Sequence, residues 1–334
     1  MARIVLGVGA SHTPLLTLDS TQWQHRAEVD FANERLNLSD GRWVDYPQLL
    51  KEVGPKYAEI VSAEALMEKS KRCNEALDRL AAALEKAAPD VIVIVGDDQS
   101  ELFDASNQPL VAIYHGDEIV MRDKFGENQP AEWMRTMGKG YLMDALHRIP
   151  GNASFALHLT QSMVDADIDV ASVANVKDPT ASGFGHAYGF IVKRLLRERR
   201  IPVVPVLLNT YFQPNVPTAR RAYDMGVALG DAIDAAPDDL RVAIVASGGL
   251  SHFVVDEELD RGVLRAFVSQ DPDALRTIPR GALNSGSSEI LNWIMTAGAI
   301  GTRLSVQWHE YHPLYRTPAG TGVGAAFVLW NEAT

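Results

Sequence analysis

The sequence contains a single cysteine, Cys73, so no disulfide bond can form within the chain. Leu77, Leu80 and Leu84 follow it at the spacing of one helix face, which predicts a buried core residue rather than a catalytic nucleophile. A scarcity of cysteine fits a protein of the reducing cytoplasm. The first residues also lack the charged start, apolar stretch and cleavage site of a secretory signal peptide. We therefore expect a cytoplasmic protein.

Long apolar runs and clusters of positive charge are also scarce. No run approaches the roughly 20 apolar residues that a membrane-spanning helix needs. The formal net charge is −12, and the basic cluster at residues 193–200 has the pattern of a solvated helix face. We therefore expect neither a membrane nor a nucleic acid as a partner.

Short apolar runs alternate with helical patterns along the chain. The predicted strands are residues 3–9, 91–95, 110–114, 168–174, 202–208, 241–247, 303–308 and 324–330. The predicted helices lie near residues 60–87, 131–147, 186–199, 218–235, 259–269 and 288–297. This alternation predicts an α/β fold, a single-domain sandwich with a central mostly parallel or mixed sheet flanked by helices. We expect one domain over residues 1–334, with a helical insertion at about residues 13–88.

Polar residues follow several of the predicted strands. His12 follows the first strand, Asp98 and Gln99 follow the second, and His252 follows a later one. In an open α/β sheet, ligands gather at the carboxyl ends of the strands, so these residues are candidates for a common site. The glycines before His12 do not indicate a dinucleotide site, because His12 stands where the third glycine of that motif belongs.

Two further candidates stand at predicted helix starts. Glu289 follows a serine that can cap its helix, and His186 lies in the glycine-flanked stretch GFGHAYGF. Taken singly, a histidine in such a place is also explained as a turn residue, and the glutamate as a complement to the helix dipole. Together, the candidates supply histidines and a carboxylate, which are the ligands of a facial-triad iron(II) site.

The motifs that carry these residues resemble those of a known family. The stretches are MARIVLGVGASHTP, VIVIVGDDQ, GFGHAYG, GGLSHF, SGSSEILNWIMTAGAI and YHPLYRTPAGTGVGAAFVL, in this order over most of the chain. They are similar to the class III (type II) extradiol ring-cleavage dioxygenases. The type with the strongest resemblance comprises the protocatechuate 4,5-dioxygenase catalytic subunit and the gallate and 3-O-methylgallate dioxygenases.

This resemblance implies a function and a set of roles. The chain would cleave a catechol-type aromatic acid, such as a gallate, methylgallate or protocatechuate analogue, with Fe(II) and dioxygen in aromatic compound catabolism. His12 and Glu289 would bind the metal, His252 would act as the acid and base, and His186 would position the substrate. The alternative is the same fold with an altered metal site, acting as a metal-dependent hydrolase or a non-catalytic binding protein.

The sequence departs from the family at the second metal-binding histidine. Gln99 stands at that position, with Asp98 before it. A glutamine carbonyl is a weaker neutral donor, whereas an aspartate would make the site more anionic, so both residues are kept as candidate ligands. His115 follows the next predicted strand and is a third alternative.

Residues 315–325 match the region where the family binds a substrate carboxylate. Arg316, Thr317 and Thr321 are the candidate substrate-binding residues there, because a guanidinium and hydroxyl groups can bind a carboxylate. The other interpretation of this stretch is a glycine-rich loop with an exposed arginine. A homodimer is compatible with the sequence, but no feature of the sequence specifies one.

Overall fold

The protein is described by a computed structural model that covers residues 1–197 and 199–332. The strands are β1 (Arg3–Ala10), β2 (Leu36–Asn37), β3 (Trp43–Val44), β4 (Val91–Asp97), β5 (Val111–Tyr114), β6 (Glu118–Val120), β7 (Arg148–Pro150), β8 (Ala171–Val173), β9 (Val203–Leu208), β10 (Arg241–Ser247), β11 (Ser305–Tyr315) and β12 (Gly322–Asn331). Eight of them form one sheet in the order β11-β12-β1-β10-β4-β9-β5-β8. The short pairs β2–β3 and β6–β7 form separate two-stranded ribbons.

The centre of the sheet is parallel and its flanks are antiparallel. Strands β1, β10, β4 and β9 run parallel, whereas β12 pairs antiparallel with β1, and β5 pairs antiparallel with β9. The register pairs Ala10 with Ser247, and Ala246 with Val95. The carboxyl ends of β1, β10 and β4 therefore lie side by side at one edge, as the expected mixed sheet requires.

Helices cover both faces of the sheet. They are α1 (Gln24–Phe31), α2 (Tyr46–Val53), α3 (Ala63–Ala87), α4 (Glu132–Gly140), α5 (Ala153–Asp165), α6 (His186–Ile191), α7 (Ala219–Asp234), α8 (Glu257–Ser269), α9 (Pro272–Arg276) and α10 (Ile290–Ile300). One face packs against α5, α7, α8, α9 and α10, and the other packs against α3, α4 and α6. This arrangement confirms the predicted α/β sandwich.

Strand β4 illustrates why the central strands are apolar throughout. Val93 and Val95 pack in the core on the α10 side, whereas Ile92 and Ile94 pack on the α3 side. Because successive side chains of a strand point to opposite faces, a strand covered on both faces needs apolar residues at every position. Asp97, the first polar residue of β4, therefore marks the end of the apolar core along this strand.

The predicted insertion at residues 13–88 consists of two structurally different parts. Residues 14–61 contain short helices and the β2–β3 ribbon, whereas α3 packs directly on the sheet. Cys73 is buried in α3 as expected, and burial raises the pKa of its thiol to about 12, far from that of a reactive nucleophile. In residues 1–197 and 199–332, no helix is both long and apolar enough to cross a membrane.

A close approach between β1 and α10 brings this helix, which Glu289 immediately precedes, against the sheet. A Cβ added at Gly9 would lie 2.0 Å from the ring of Trp293, which is fully buried. The indole Nε1 of Trp293 also donates a hydrogen bond to the carbonyl of Gly248, at 2.9 Å. The side chain at position 9 must therefore be absent for α10 to pack here.

Replacing Gly9 with alanine is expected to lower the free energy of unfolding by about 1–3 kcal/mol, because the buried ring has no space to move aside. Urea denaturation measures the change. Gly262→Ala is the matched control, since a Cβ there meets only the Arg265 side chain, at 3.7 Å. That substitution should stabilise α8 by up to about 1 kcal/mol through helix propensity. Equal effects at both positions would contradict the packing role of Gly9.

Candidate active site

The candidate site lies at the carboxyl edge of the parallel strands. His12 follows β1, Asp97 ends β4, and Glu289 immediately precedes α10. Together with His186, at the start of α6, they form a group whose nitrogen and oxygen donor atoms all lie within 4.8 Å of one another. His12, Asp97 and Glu289 are each at most 3% exposed. Two imidazoles and two carboxylates at this spacing suit a divalent transition metal.

The imidazole of His12 has one nitrogen bonded and one nitrogen available. Its Nδ1 lies 2.9 Å from Oγ of Ser247, and that hydroxyl donates its own hydrogen to the carbonyl of Ala187, at 2.6 Å. Nδ1 must therefore be the donor, which leaves a lone pair on Nε2. Nε2 is buried and lacks a hydrogen-bond partner within residues 1–197 and 199–332. It lies 3.4 Å from Oε2 of Glu289, the arrangement of a metal ligand rather than of a satisfied core histidine.

The two carboxylates of the group have opposite pKa shifts. Burial, together with the charge of Glu289, raises the pKa of Asp97 above its ordinary value. Burial also opposes ionisation of Glu289, but His252 and His12 outweigh it and hold the pKa of Glu289 well below the usual range. A cation between the two carboxylates would offset the repulsion that contributes to the raised pKa of Asp97. The residues therefore fit a bound divalent metal.

His252 stands beside this group with a defined tautomer. Its Nδ1 donates to the carbonyl of Leu250, at 2.8 Å, so Nε2 carries the lone pair and faces the cavity. Nε2 lies 3.3 Å from Oε1 of Glu289 and 3.5 Å from the hydroxyl of Tyr211. Burial disfavours the imidazolium, but the Glu289 carboxylate outweighs burial and raises the pKa of His252. This histidine can accept and return a proton at the cavity wall.

His186 is held between two acidic groups. Its Nδ1 lies 3.4 Å from Glu101, and its Nε2 lies 3.9 Å from Asp97. Burial opposes protonation, but Glu101 outweighs it and raises the pKa of His186 to about 9. Burial also opposes ionisation of Glu101, but His186 and Lys124 lower the pKa of that carboxyl to about 2. The protonated form of His186, which donates hydrogen bonds from both ring nitrogens, is thus favoured.

The structure separates the two neighbouring candidates Gln99 and Asp98. Gln99 lines the cavity, and its amide lies 3.2 Å from Asp97 and 3.4 Å from Glu289. The Asp98 carboxylate instead accepts the backbone N–H groups of Leu102 and Phe103, at 2.8 and 3.1 Å. Asp98 therefore caps a turn and is outside the donor group, and the aspartate in that group is Asp97.

His115 also lies outside the donor group. Its Nε2 is 2.9 Å from the hydroxyl of Ser172, on β8 at the edge of the sheet. His115 is therefore not placed to act as the alternative metal ligand. The histidine nearest to His12 is His186, with ring centroids 4.7 Å apart.

The predicted carboxylate-binding residues are occupied by an aspartate of the chain itself. The guanidinium of Arg316 binds both oxygens of Asp30, at 2.7 and 3.0 Å. Thr321 donates to the same carboxylate, at 2.7 Å, and Thr317 lies 2.8 Å from Thr321. Arg316 reaches the cavity wall but is buried rather than exposed, and neither threonine lines the cavity. These contacts tie α1 to the turn between β11 and β12.

The donor group opens into a cavity of about 180 Å³. Its walls combine polar and apolar side chains, with Phe125, Met137, Phe253 and Val323 among the apolar ones. His12, Gln99, His186, His252 and Glu289 from the sequence analysis all line it. A cavity of this composition can enclose an aromatic ring while presenting polar groups to its edge.

Several residues of the site were given no role in the sequence analysis. They are Arg26, Asp97, Glu101, Lys124 and Tyr211. Asp97 could have been found by side-chain alternation, because it continues the Val93 and Val95 face of β4 toward α10. Consistent with this, Asn292 of α10 donates to Asp97, at 3.3 Å. The other four come from loops or from α1, where no periodic pattern indicates which side chain turns inward.

Comparison with known proteins agrees with this geometry. The family described as catalytic LigB subunit of aromatic ring-opening dioxygenase matches residues 54–327. Gallate dioxygenase of Pseudomonas putida is 31% identical over 195 residues, which are 55% of this chain and 54% of that protein. Two 2,3-dihydroxyphenylpropionate/2,3-dihydroxicinnamic acid 1,2-dioxygenases, from Cupriavidus necator and Cupriavidus pinatubonensis, are 36% identical over 105 residues, or 31% of each chain.

The matches to individual proteins are partial, whereas the family match is extensive. The aligned part spans about half of the gallate dioxygenase and about a third of the other two relatives. The family match, in contrast, covers most of the chain, from the residue after α2 into β12. The chain therefore belongs to the family of the catalytic LigB subunit of aromatic ring-opening dioxygenases.

Proposed function

We propose that the protein is a non-haem Fe(II)-dependent extradiol dioxygenase that opens the ring of a catechol-type aromatic acid with dioxygen. Gallate, methylgallate and protocatechuate analogues are the proposed substrates. The observation that carries this proposal is the Nε2 of His12, which has no hydrogen-bond partner among the described residues and lies 3.4 Å from Glu289, beside a cavity with partly apolar walls. Membership of a ring-opening dioxygenase family supports the same reaction class.

His12, Asp97 and Glu289 would hold the iron in this proposal. The amide of Gln99 lies against both carboxylates, and rotation of that amide would present its carbonyl oxygen instead of its NH₂ group. A ferrous ion held there supplies positive charge that acidifies neighbouring hydroxyl groups, together with open coordination positions and redox capacity. Ser247 fixes the tautomer of His12 for this purpose.

His252 is the proposed general base and acid. Its Nε2 faces the cavity, and its Nδ1 is already committed to the carbonyl of Leu250. The free nitrogen would take the proton of a substrate hydroxyl and later return it to an oxygen of the reacting group. The tyrosine hydroxyl of Tyr211, 3.5 Å from this nitrogen, would help to orient the ring.

His186 is proposed to position the substrate rather than to bind the metal. Glu101 favours its protonated form, which donates hydrogen bonds but has no lone pair for a metal. The apolar walls at Phe125, Met137 and Phe253 would pack against the aromatic ring and exclude water from it.

Oxygen uptake tests the proposed reaction directly. Protein purified without oxygen and loaded with Fe(II) is expected to consume oxygen equimolar with added gallate or protocatechuate and to yield a ring-opened product. An oxygen electrode and mass spectrometry measure the two quantities. Protein loaded with Zn²⁺ is the control and should consume none, because zinc has no redox chemistry. Bound iron without oxygen uptake across a panel of catechols would overturn the proposal.

Adjacent aspartates provide a matched test of the metal site. Asp97→Asn is expected to weaken Fe(II) binding by more than about 10-fold, because it removes an anionic ligand. Asp98→Asn should leave the affinity unchanged, since the Asp98 carboxylate is directed at backbone N–H groups. Competition with a chelator under anaerobic conditions measures both affinities. Equal losses in the two variants would show that charge alone, and not ligation by Asp97, controls binding.

The role of His252 is tested by making the same substitution, histidine to glutamine, inside and outside the cavity. His252→Gln is expected to lower kcat by about 100-fold or more while iron content and substrate binding persist, because only proton transfer is lost. His115→Gln changes a histidine outside the cavity and should leave kcat unchanged. Steady-state oxygen uptake and metal analysis give the two readouts. Normal turnover by the His252 variant would refute its assignment as acid and base.

A further inference from the structure

The cavity has a guanidinium group that forms no ion pair with an acidic side chain in residues 1–197 and 199–332. Arg26, on α1, lines the cavity and is half-buried. Its Nε is buried without a hydrogen-bond partner in the part of the chain that the structure describes. Buried guanidinium groups are ordinarily paired, since an unsatisfied buried charge-bearing donor costs more than a neutral one. Arg26 is thus available to a hydrogen-bond acceptor that the described residues do not provide.

The acidic residue one helical turn along α1 already has other partners. Asp30 lies one helical turn after Arg26 on α1, but its carboxylate accepts two hydrogen bonds from Arg316 and one from Thr321. Burial, together with the charge of Arg26, lowers the pKa of Arg316 below its ordinary value, which is consistent with two guanidinium groups close together. The carboxylate of Asp30 therefore pairs with Arg316, and it does not balance the charge of Arg26.

The other charged residues of the cavity are also paired. Lys124 lies 3.2 Å from Glu101, and Glu101 also contacts His186. Glu289 faces His12 and His252, and belongs to the candidate metal group. When a divalent metal balances Asp97 and Glu289, the cavity wall keeps the positive charge of Arg26, and the single carboxylate of Glu101 faces both Lys124 and His186, so the wall is positive overall. The cavity then favours an anionic ligand.

We propose that Arg26 binds the anionic substituent of the aromatic substrate, a carboxylate on the ring or on a short side chain. The inference rests on the proposed function, because it takes an aromatic catechol as the occupant of the cavity. An arginine binds a carboxylate through two parallel N–H groups, so this contact would fix the orientation of the ring as well as its charge. The residues expected to bind the carboxylate, Arg316, Thr317 and Thr321, then act by holding α1 in place through Asp30.

This assignment gives the segment between β1 and α3 a function. Arg26 and Asp30 both lie on α1, so the helix supplies the ligand-binding charge and the anchor that holds it against the turn between β11 and β12. Specificity for an anionic ring would therefore reside in a segment outside the sheet, whereas the metal group resides at the sheet edge.

Binding of a charged and a neutral probe tests the proposal. Gallate and its uncharged methyl ester share the ring and hydroxyl groups but differ in the carboxylate. Titration calorimetry of Fe(II)-loaded protein without oxygen measures both dissociation constants in the absence of turnover. Arg26→Met is expected to weaken gallate binding by about 10- to 100-fold and ester binding little, so that the preference for gallate disappears. Equal losses for both probes, or no loss for gallate, would overturn the proposal.

Two control variants distinguish recognition by Arg26 from a general effect of removing a positive charge. Arg35→Met removes the same charge from an exposed residue that does not line the cavity, and should retain the preference for gallate. Arg26→Lys keeps the charge without the planar fork and should retain part of the preference. Loss of the preference in Arg35→Met would contradict a specific role of Arg26.

A further probe keeps this test independent of the proposed reaction. Benzoate has a carboxylate but no adjacent hydroxyl groups to bind a metal, and its binding requires no oxygen chemistry. Arg26→Met should weaken benzoate binding by about the same factor as gallate binding, again about 10- to 100-fold. If oxygen uptake fails while this dependence holds, the proposed reaction is wrong and the anion site stands. If oxygen uptake succeeds without it, Arg26 is not the anion site.

Discussion

The buried carboxylate of Glu289 is the contact on which the whole site depends. It accepts a hydrogen bond from the backbone N–H of Gly249, at 2.7 Å, and one from the hydroxyl of Tyr211, at 3.0 Å. It also contacts His12 and His252, at 3.4 and 3.3 Å. These partners follow three different strands, so one carboxylate joins β1, β9 and β10 to the start of α10. A carboxylate this deeply buried requires such partners, because ionisation without them is strongly unfavourable.

The charge distribution of the cavity follows from the same requirement. Two buried carboxylates, Asp97 and Glu289, repel each other unless a proton or a cation lies between them. Elsewhere on the cavity wall, the guanidinium of Arg316 is bound by the carboxylate of Asp30, whereas the nearby Arg26 has no acidic partner among the described residues. A ligand with adjacent hydroxyl groups and a separate carboxylate would satisfy both imbalances at once. The proposed anionic catechol would fit this charge distribution better than a neutral one would.

Much of the fold and part of the site could be predicted from the sequence. His12, His252 and Glu289 were expected to converge, because they follow parallel strands or begin a helix at their edge, and the structure brings them together. Helix α5 was not predicted. Leu157 and Val164 are apolar but about half exposed, so the apolar residues of this segment do not follow the spacing of a single helix face. The sequence analysis selected Asp98 rather than Asp97 as a candidate metal ligand. Two adjacent carboxylates at a strand end differ only in the face of the sheet to which each side chain points, and the motif does not specify that face.

The amino-acid sequence by itself determined the α/β alternation, the buried central strands and the histidines and glutamate at their ends, because these depend on local hydrophobic periodicity. Only the tertiary structure decided that Asp97 faces the donor group while Asp98 caps a turn. It also decided that Arg316 is bound by Asp30, 286 residues away, whereas the Nε of Arg26 has no hydrogen-bond partner among the described residues. Pairings of this kind depend on contacts between distant segments, and no local pattern in the chain encodes them.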